Sequence, residues 1–401
     1  MNAQEKNANR IAIIAGSFML MSSMVISAIL ANIKQDFSDV SVNTVQLVLT
    51  IPSLMGMLFA FLAGPMSIKF AKKNLLFGGM FLGLLGGILA FFFGPQSLAA
   101  LFISSAFIGI NQGMNGSLTK ALVSDFFVNQ ERDDMMGYQA SASTGGAIIL
   151  TFCAGLLSGI SWKWSYAILL LFVPALFLVQ KNLTFVAPVP VRKGTDAKGG
   201  DKLNGAVFFA SITVFFSYLF LYTYQLNVSL YIQTSGLGTS VIVGYANTIF
   251  PVAGMLTGLI FGKLRKKLGN STMQVGIVMT ALGFLGIKFI GTLPAIFFAS
   301  FCAGAAQAFI IPSAVLIVSL YAPASIRATG ISITMGLLNF GMFCSPFVIN
   351  GVSTAIGGNP VDMIANKYLV AAIGMIILAV VYTVLSPVFY KKEKLADNLA
   401  S

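Results

Sequence analysis

Apolar stretches of about 20 residues recur along this chain, broken mostly by short charged or turn-rich segments. That repetition leaves few folds open. A bilayer's hydrocarbon core is about 30 Å thick, a helix rises about 1.5 Å per residue, and each backbone amide in lipid needs a partner within its own structure. Hydrophobic residues make up 57% of the 401 and charged residues 9%, against about a quarter charged in soluble domains. The chain reads as an all-α integral membrane protein with twelve transmembrane helices. The spans fall near 11–33, 43–67, 74–94, 98–122, 136–160 and 165–180, then 205–231, 241–262, 271–291, 294–320, 330–352 and 368–390. Lys6 and Arg10 precede the first run as they would in a secretory signal. The run is longer than a signal's apolar region of about 7 to 15 residues, so it is expected to remain as the first helix.

Lys and Arg set the expected orientation. With the N-terminus inside, nineteen of the 24 basic residues fall on inner segments, four (Lys34, Lys163, Lys288, Lys367) fall outside, and Lys120 lies within the fourth span. Both termini are thus expected in the cytoplasm and the protein in a cell (inner) membrane. The net charge of +12 follows from this bias, and no nucleic-acid partner is expected. Cys153, Cys302 and Cys344 all lie in apolar runs and read as packing residues; no metal and no cofactor are expected.

The polar segment 181–204 is rich in Pro, Gly and charge and divides the chain at its midpoint. It reads as a cytoplasmic linker between six-helix bundles at 1–180 and 205–401, the second ending in a short cytoplasmic tail. Short matches support a duplication. Gln112 and Gln307 in spans four and ten, and Arg132 and Arg327 after them, share an offset of 195. The loops GPMSIKFAKK from Gly64 and GLIFGKLRKK from Gly258 are offset by 194.

In these loops the chain resembles the major facilitator superfamily, whose motif between helices two and three is Gly-x-x-x-Asp-Arg/Lys-x-Gly-Arg/Lys-Arg/Lys. Gly64, Lys69, Lys72 and Lys73 match, as do Gly258, Lys263, Lys266 and Lys267 in the second copy. Ile68 and Gly262 occupy the Asp positions, and Ala71 the second Gly position of the first copy. Asp125 and Arg132 after helix four, and Trp162-Lys163-Trp164 between helices five and six, extend the likeness. The resemblance implies two pseudo-symmetric six-helix bundles, a cavity lined by helices 1, 4, 7 and 10, and alternating access. In the family the loop Asp helps latch the two halves, and here Asp125 with Lys72 or Lys73 is a substitute pair.

Polar residues are concentrated in a few spans. The third and sixth carry almost none and read as lipid-facing. At 100° per residue, Ser104, Asn111, Gln112, Asn115 and Thr119 of the fourth span share an arc of about 100°. Ser211, Tyr218, Tyr222, Gln225 and Ser229 share a face of the seventh span, and Ser332, Asn339, Pro346 and Asn350 one of the eleventh. Asn111, Gln112, Asn115, Tyr218, Tyr222, Gln225, Gln307 and Asn339 are therefore the candidate substrate-binding residues, with helix-to-helix hydrogen bonding as the structural alternative. Lys69, Lys72, Lys73, Asp125, Arg132, Lys263, Lys266, Lys267 and Arg327 are candidate inner-loop gating charges. Lys120 reads either as an intramembrane substrate contact or as a lysine reaching for the interface or for Asp125.

None of the twelve acids sits at mid-membrane depth, and the chain has no His. Zinc or aspartyl proteolysis within the membrane has no residues to work with, so no enzymatic activity is expected. The expected function is a monomeric secondary transporter, embedded in the lipid bilayer, that moves a small neutral, amphipathic or anionic organic solute without a titrating intramembrane carboxylate. A multidrug exporter is the alternative within transport. A non-transporting sensor or lipid-handling protein is the alternative outside it.

Overall fold

The computed structural model describes residues 3–185, 204–322 and 327–390, without the side chains of residues 3, 68, 129, 130, 132, 133 and 327–329. Most of the linker expected at 181–204, the tail from 391, and the side chains of Arg132 and Arg327 lie outside the described residues. The described chain is helical throughout. In the first half the helices are α1 (Ala3–Phe18), α2 (Met24–Asp36), α3 (Val42–Lys69), α4 (Lys72–Phe93), α5 (Leu98–Phe126), α6 (Asn129–Ser158), α7 (Trp162–Ser165) and α8 (Phe172–Asn182), with a 3-10 turn at Tyr166–Leu171 before α8. In the second half they are α9 (Gly205–Leu221), α10 (Thr223–Thr234), α11 (Ser240–Leu268), α12 (Ser271–Phe289), α13 (Leu293–Tyr321), α14 (Arg327–Thr354) and α15 (Pro360–Phe389). Among the described residues ten segments are long and apolar enough to cross a membrane. The other two spans are α5, which carries three amides in its middle, and the pair α1–α2, which is interrupted.

That interruption corrects the expectation of one unbroken helix over 11–33. The chain turns at 19–23, where tight bonds run from Leu20 N to Ser17 O (3.1 Å) and from Met24 N to Met21 O (3.0 Å). Two side chains of α5 take up the break: Asn111 Nδ2 donates to Met19 O at 3.2 Å, and Gln112 Oε1 accepts from Ser23 Oγ at 2.8 Å. A helix in lipid tolerates a break only where the freed backbone groups find such partners. The seventh span is interrupted only at Tyr222, between α9 and α10, whose N–H still bonds Tyr218 O at 3.0 Å.

The chain divides into two compact units, one formed by Met1–Lys193, Gln225–Val252 and Gly358–Ile364, the other by Gly194–Tyr224, Ala253–Gly357 and Ala365–Ser401. In the first, α5 is packed between α3 and α4. Lipid supplies no hydrophobic drive between helices, so close backbone approach and van der Waals contact hold them together. A Cβ on Gly113 would lie 2.1 Å from Gly56 O, so α3 and α5 touch backbone to backbone. The α4 helix turns Gly79, Gly83, Gly86 and Gly87 toward α5 and the sixth span, and exposes Phe81, Ile88, Phe92 and Phe93 on its other side. In the second unit α14 runs along α9, joined by the Ser211 and Thr334 hydroxyls at 2.7 Å, and α12 packs on α13.

Candidate substrate residues and the amide seam

The polar stripe of α5 divides into a packing face and an open face. Asn111, Asn115 and Thr119 are fully buried. Asn115 Nδ2 donates to Leu76 O (3.2 Å) and Asn111 Oδ1 (2.8 Å), and Thr119 Oγ1 donates back to Asn115 O (2.8 Å). These groups tie α5 to α4 and to the break between α1 and α2. Gln112, Gly116 and Lys120 follow one another at a spacing of four, so they share a side of the helix. Gln112 is half-buried and Lys120 exposed, and a Cβ on Gly116 would meet nothing within 4 Å.

The remaining candidates belong to different units. Gln225, in the first unit, is buried, and its carbonyl accepts from Ser27 Oγ at 2.8 Å. In the second unit Tyr218 and Tyr222 are buried one turn apart beside the helix break, and the Tyr218 hydroxyl has no hydrogen-bond partner there. Gln307 is half-buried on α13, and Asn339 Nδ2 donates within its own helix to Met335 O at 2.9 Å.

The inner-loop charges act locally. Lys72 Nζ lies 2.6 Å from Asp125 Oδ2, joining the start of α4 to the end of α5, and Lys73 Nζ donates to Gln180 O at 2.8 Å. Asp125 is thereby engaged by Lys72, not by Lys120. Lys6 Nζ lies 2.8 Å from Glu131 Oε2, with Arg10 at 4.0 Å from the same carboxylate. The hydrogen bond from Lys6 holds the Glu131 carboxyl below its usual pKa, helped by the charges of Lys6 and Arg10 and opposed by desolvation and Asp134. Lys69, Lys263, Lys266 and Lys267 are exposed.

At the end of the first unit away from these basic loops the structure shows a seam that the sequence reading did not single out. It joins α2, α3 and α6 to the segment Gln225–Val252. Ser240 Oγ and Gln233 Nε2 both donate to Asn32 Oδ1, at 2.5 and 3.0 Å, and Gln35 Nε2 donates to Gln233 Oε1 at 3.1 Å. Gln46 Nε2 bonds Asn227 Oδ1 at 3.0 Å and Leu226 O at 3.2 Å, and Asn247 Nδ2 reaches Ser27 Oγ at 3.3 Å. Beneath them Gly155 of α6 meets Gly244 of α11 so closely that a Cβ on Gly155 would lie 2.4 Å from Gly244 Cα. Ser27 with Gln225, Ala31 with Ser229 and Gln35 with Gln233 are all separated by 198 residues, one helical turn apart, so α2 and α10 run side by side in parallel.

An interrupted first span, ten further apolar segments and α5 define an all-helical multi-pass architecture. Comparison with solved structures agrees on the fold. The chain superposes on a mutant of the peptide transporter POT in complex with alafosfalin with TM-score 0.76, 15% identity and 94% of each chain covered. It superposes on a mutant of the nucleoside transporter NupG with TM-score 0.76, 13% identity, and 95% and 99% coverage. It also superposes on a bacterial homologue of the human lysosomal transporter Spinster, in an inward-facing and unoccupied conformation, with TM-score 0.75, 13% identity, and 98% and 99% coverage. The sequence matches the Major Facilitator Superfamily over residues 11–275 and 210–398, and the chain belongs to that family. Among curated relatives, quinolone resistance protein NorB of Staphylococcus aureus is 22% identical over 166 residues, which is 41% of this chain and 35% of NorB. The alignment thus spans about a third of that relative's length.

Proposed function

We propose that this protein is a secondary transporter that moves a small organic solute across a cell membrane by alternating access, with both termini in the cytoplasm. The observation that carries the reading is the seam. Neutral side chains join α2 and α3 to α10 and α11, and a neutral hydrogen bond contributes only about 0.5–1.5 kcal/mol net, so such a seam can open and reclose. In this reading the seam is the outer gate.

The solute is neutral, amphipathic or anionic. Every acid among the described residues lies near a helix end or in a loop: Glu5, Asp36, Asp39, Asp125, Glu131, Asp134 and Asp362. Asp36 accepts from Trp162 Nε1 at 2.5 Å and Asp125 from Lys72. None is placed to bind a cation at mid-depth or to cycle a proton there. Export of several unrelated compounds is the second reading, favoured by the short match to NorB.

Purified protein in proteoliposomes, screened for solute exchange at equal internal and external pH, tests this. Saturable exchange of at least one organic solute is expected, and Asp125→Asn should retain it. Loss of both exchange and pH-driven accumulation in a folded, solute-binding Asp125→Asn variant would make Asp125 the coupling group. Ligand binding without any flux would support the sensor reading instead.

A further inference from the structure

We infer that Lys120, with Gln112 two turns deeper on the same side, forms an anion-recognition point on the open face of α5, and that the transported solute is an organic anion. The inference rests on the carrier reading and names its substrate class.

Lys120 is five residues before Asp125, about 7.5 Å deeper along the helix. The ion pairs among the described residues are Lys6–Glu131, Arg10–Glu131 and Lys72–Asp125, and none includes Lys120. The acid that could neutralise it from the next turn is already held by Lys72 at 2.6 Å. Reaching the charged loops would require the lysine to run toward the C-terminus of α5, whereas helical Cα–Cβ bonds tilt toward the N-terminus. The residue is nonetheless solvent-accessible, and no acid among the described residues forms an ion pair with its ammonium.

The surroundings leave room for a ligand group. Gly116, one turn deeper on the same side, has open space at its Cβ position, and Gln112 lies one turn deeper again. Ser23 Oγ donates to Gln112 Oε1, which leaves the Gln112 amide N–H groups as donors on the same side as the ammonium. Gly16 of α1 approaches Thr119 Cγ2 within 3.7 Å of its Cβ position, so Ile11 and Ile14, exposed on α1, stand at a similar depth. A cation, amide donors and nearby apolar surface match a carboxylate or phosphate carried on an apolar body. An ammonium in a water-accessible face inside a membrane gains most from an anion because the surrounding dielectric is low.

The test uses the full-length protein in detergent and a matched series, 4-phenylbutyrate, 4-phenylbutanamide and 4-phenylbutylamine, with binding read by equilibrium dialysis. The carboxylate should bind about tenfold more tightly than the amide, and the amine least. Lys120→Gln should abolish that preference, Lys120→Arg should keep it, and added salt should weaken it. Equal binding of all three compounds, a preference that survives Lys120→Gln, or no binding of the carboxylate would overturn the inference. Proteoliposome exchange separates the two readings. Exchange of a neutral or cationic solute untouched by Lys120→Gln overturns the anion assignment and keeps the carrier, whereas Lys120-dependent anion binding without flux does the reverse.

Discussion

The amide seam and the basic loops solve the same problem, holding helix ends together, with opposite chemistry. At the loops the partners are charged: Lys72 with Asp125 and Lys6 with Glu131, all partly exposed. Exposed ion pairs are screened by water and contribute little, and here they link neighbouring helices of one half. At the seam the partners are Asn, Gln, Ser and glycine backbone, and Gln46, Asn227, Ser240 and Asn247 are buried. A charge in that position would have to lose its hydration each time the seam closed, at a cost of several kcal/mol. Amides lose less and regain it in reciprocal hydrogen bonds. In the proposed cycle the difference teaches where the outer opening is expected: at the seam, whose contacts are neutral, and not within the ion-paired helix ends of one half.

Breaking the glycine contact should have the largest effect. Gly155→Leu drives a side chain into the Gly244 backbone, and overpacking of this kind costs about 1–3 kcal/mol. Solute exchange in proteoliposomes should fall more than about tenfold, with greater labelling of a cysteine at Gln233 by an impermeant reagent. A smaller effect is expected from Asn32→Ala, because Gln233 and Ser240 remain bonded to each other at 3.0 Å. Loss of its bonds should shift the gate by about 0.5–1.5 kcal/mol, raising outside labelling roughly two- to tenfold while the protein stays monodisperse.

The smallest effect belongs to the loops. Glu131 has a lowered pKa in the folded protein, so what it adds to stability is present above the ordinary carboxylate value of about 4 and is lost as pH falls through the lowered one. Wild type and Glu131→Gln should differ slightly in thermal midpoint at pH 7 and not at all in strong acid. Exchange at pH 7 should be unchanged.

The twelve spans were legible because the bilayer imposes a length and an apolarity that few other constraints disturb. The helix breaks at 19–23 and at Tyr222 were not, and the first depends on a partner supplied by a distant segment, as Asn111 supplies one for Met19. The candidate site was legible as a composition and not as an arrangement. Periodicity grouped Asn111, Gln112 and Asn115 on one arc, but a difference of 100° per residue decides between a neighbouring helix and open space. Asn111 and Asn115 fall on the packed side and Gln112 and Lys120 on the open one. The seam escaped because Asn, Gln and Ser near span ends look like ordinary interfacial residues, and two of its three pairs at an offset of 198 use a backbone group that carries no signal in the sequence.

The most direct test of the reversible seam is a disulfide across it. In a variant with Cys153, Cys302 and Cys344 replaced by Ser, cysteines at Ala31 and Ser229, where the Ala31 N–H donates to Ser229 Oγ at 3.2 Å and so keeps the two Cα atoms within about 7 Å, should cross-link on mild oxidation. Solute exchange should then stop, with solute binding from the inner side retained, and should recover when the bond is reduced. Full cross-linking that leaves exchange at its original rate would contradict the account, because the seam would then stay closed throughout transport.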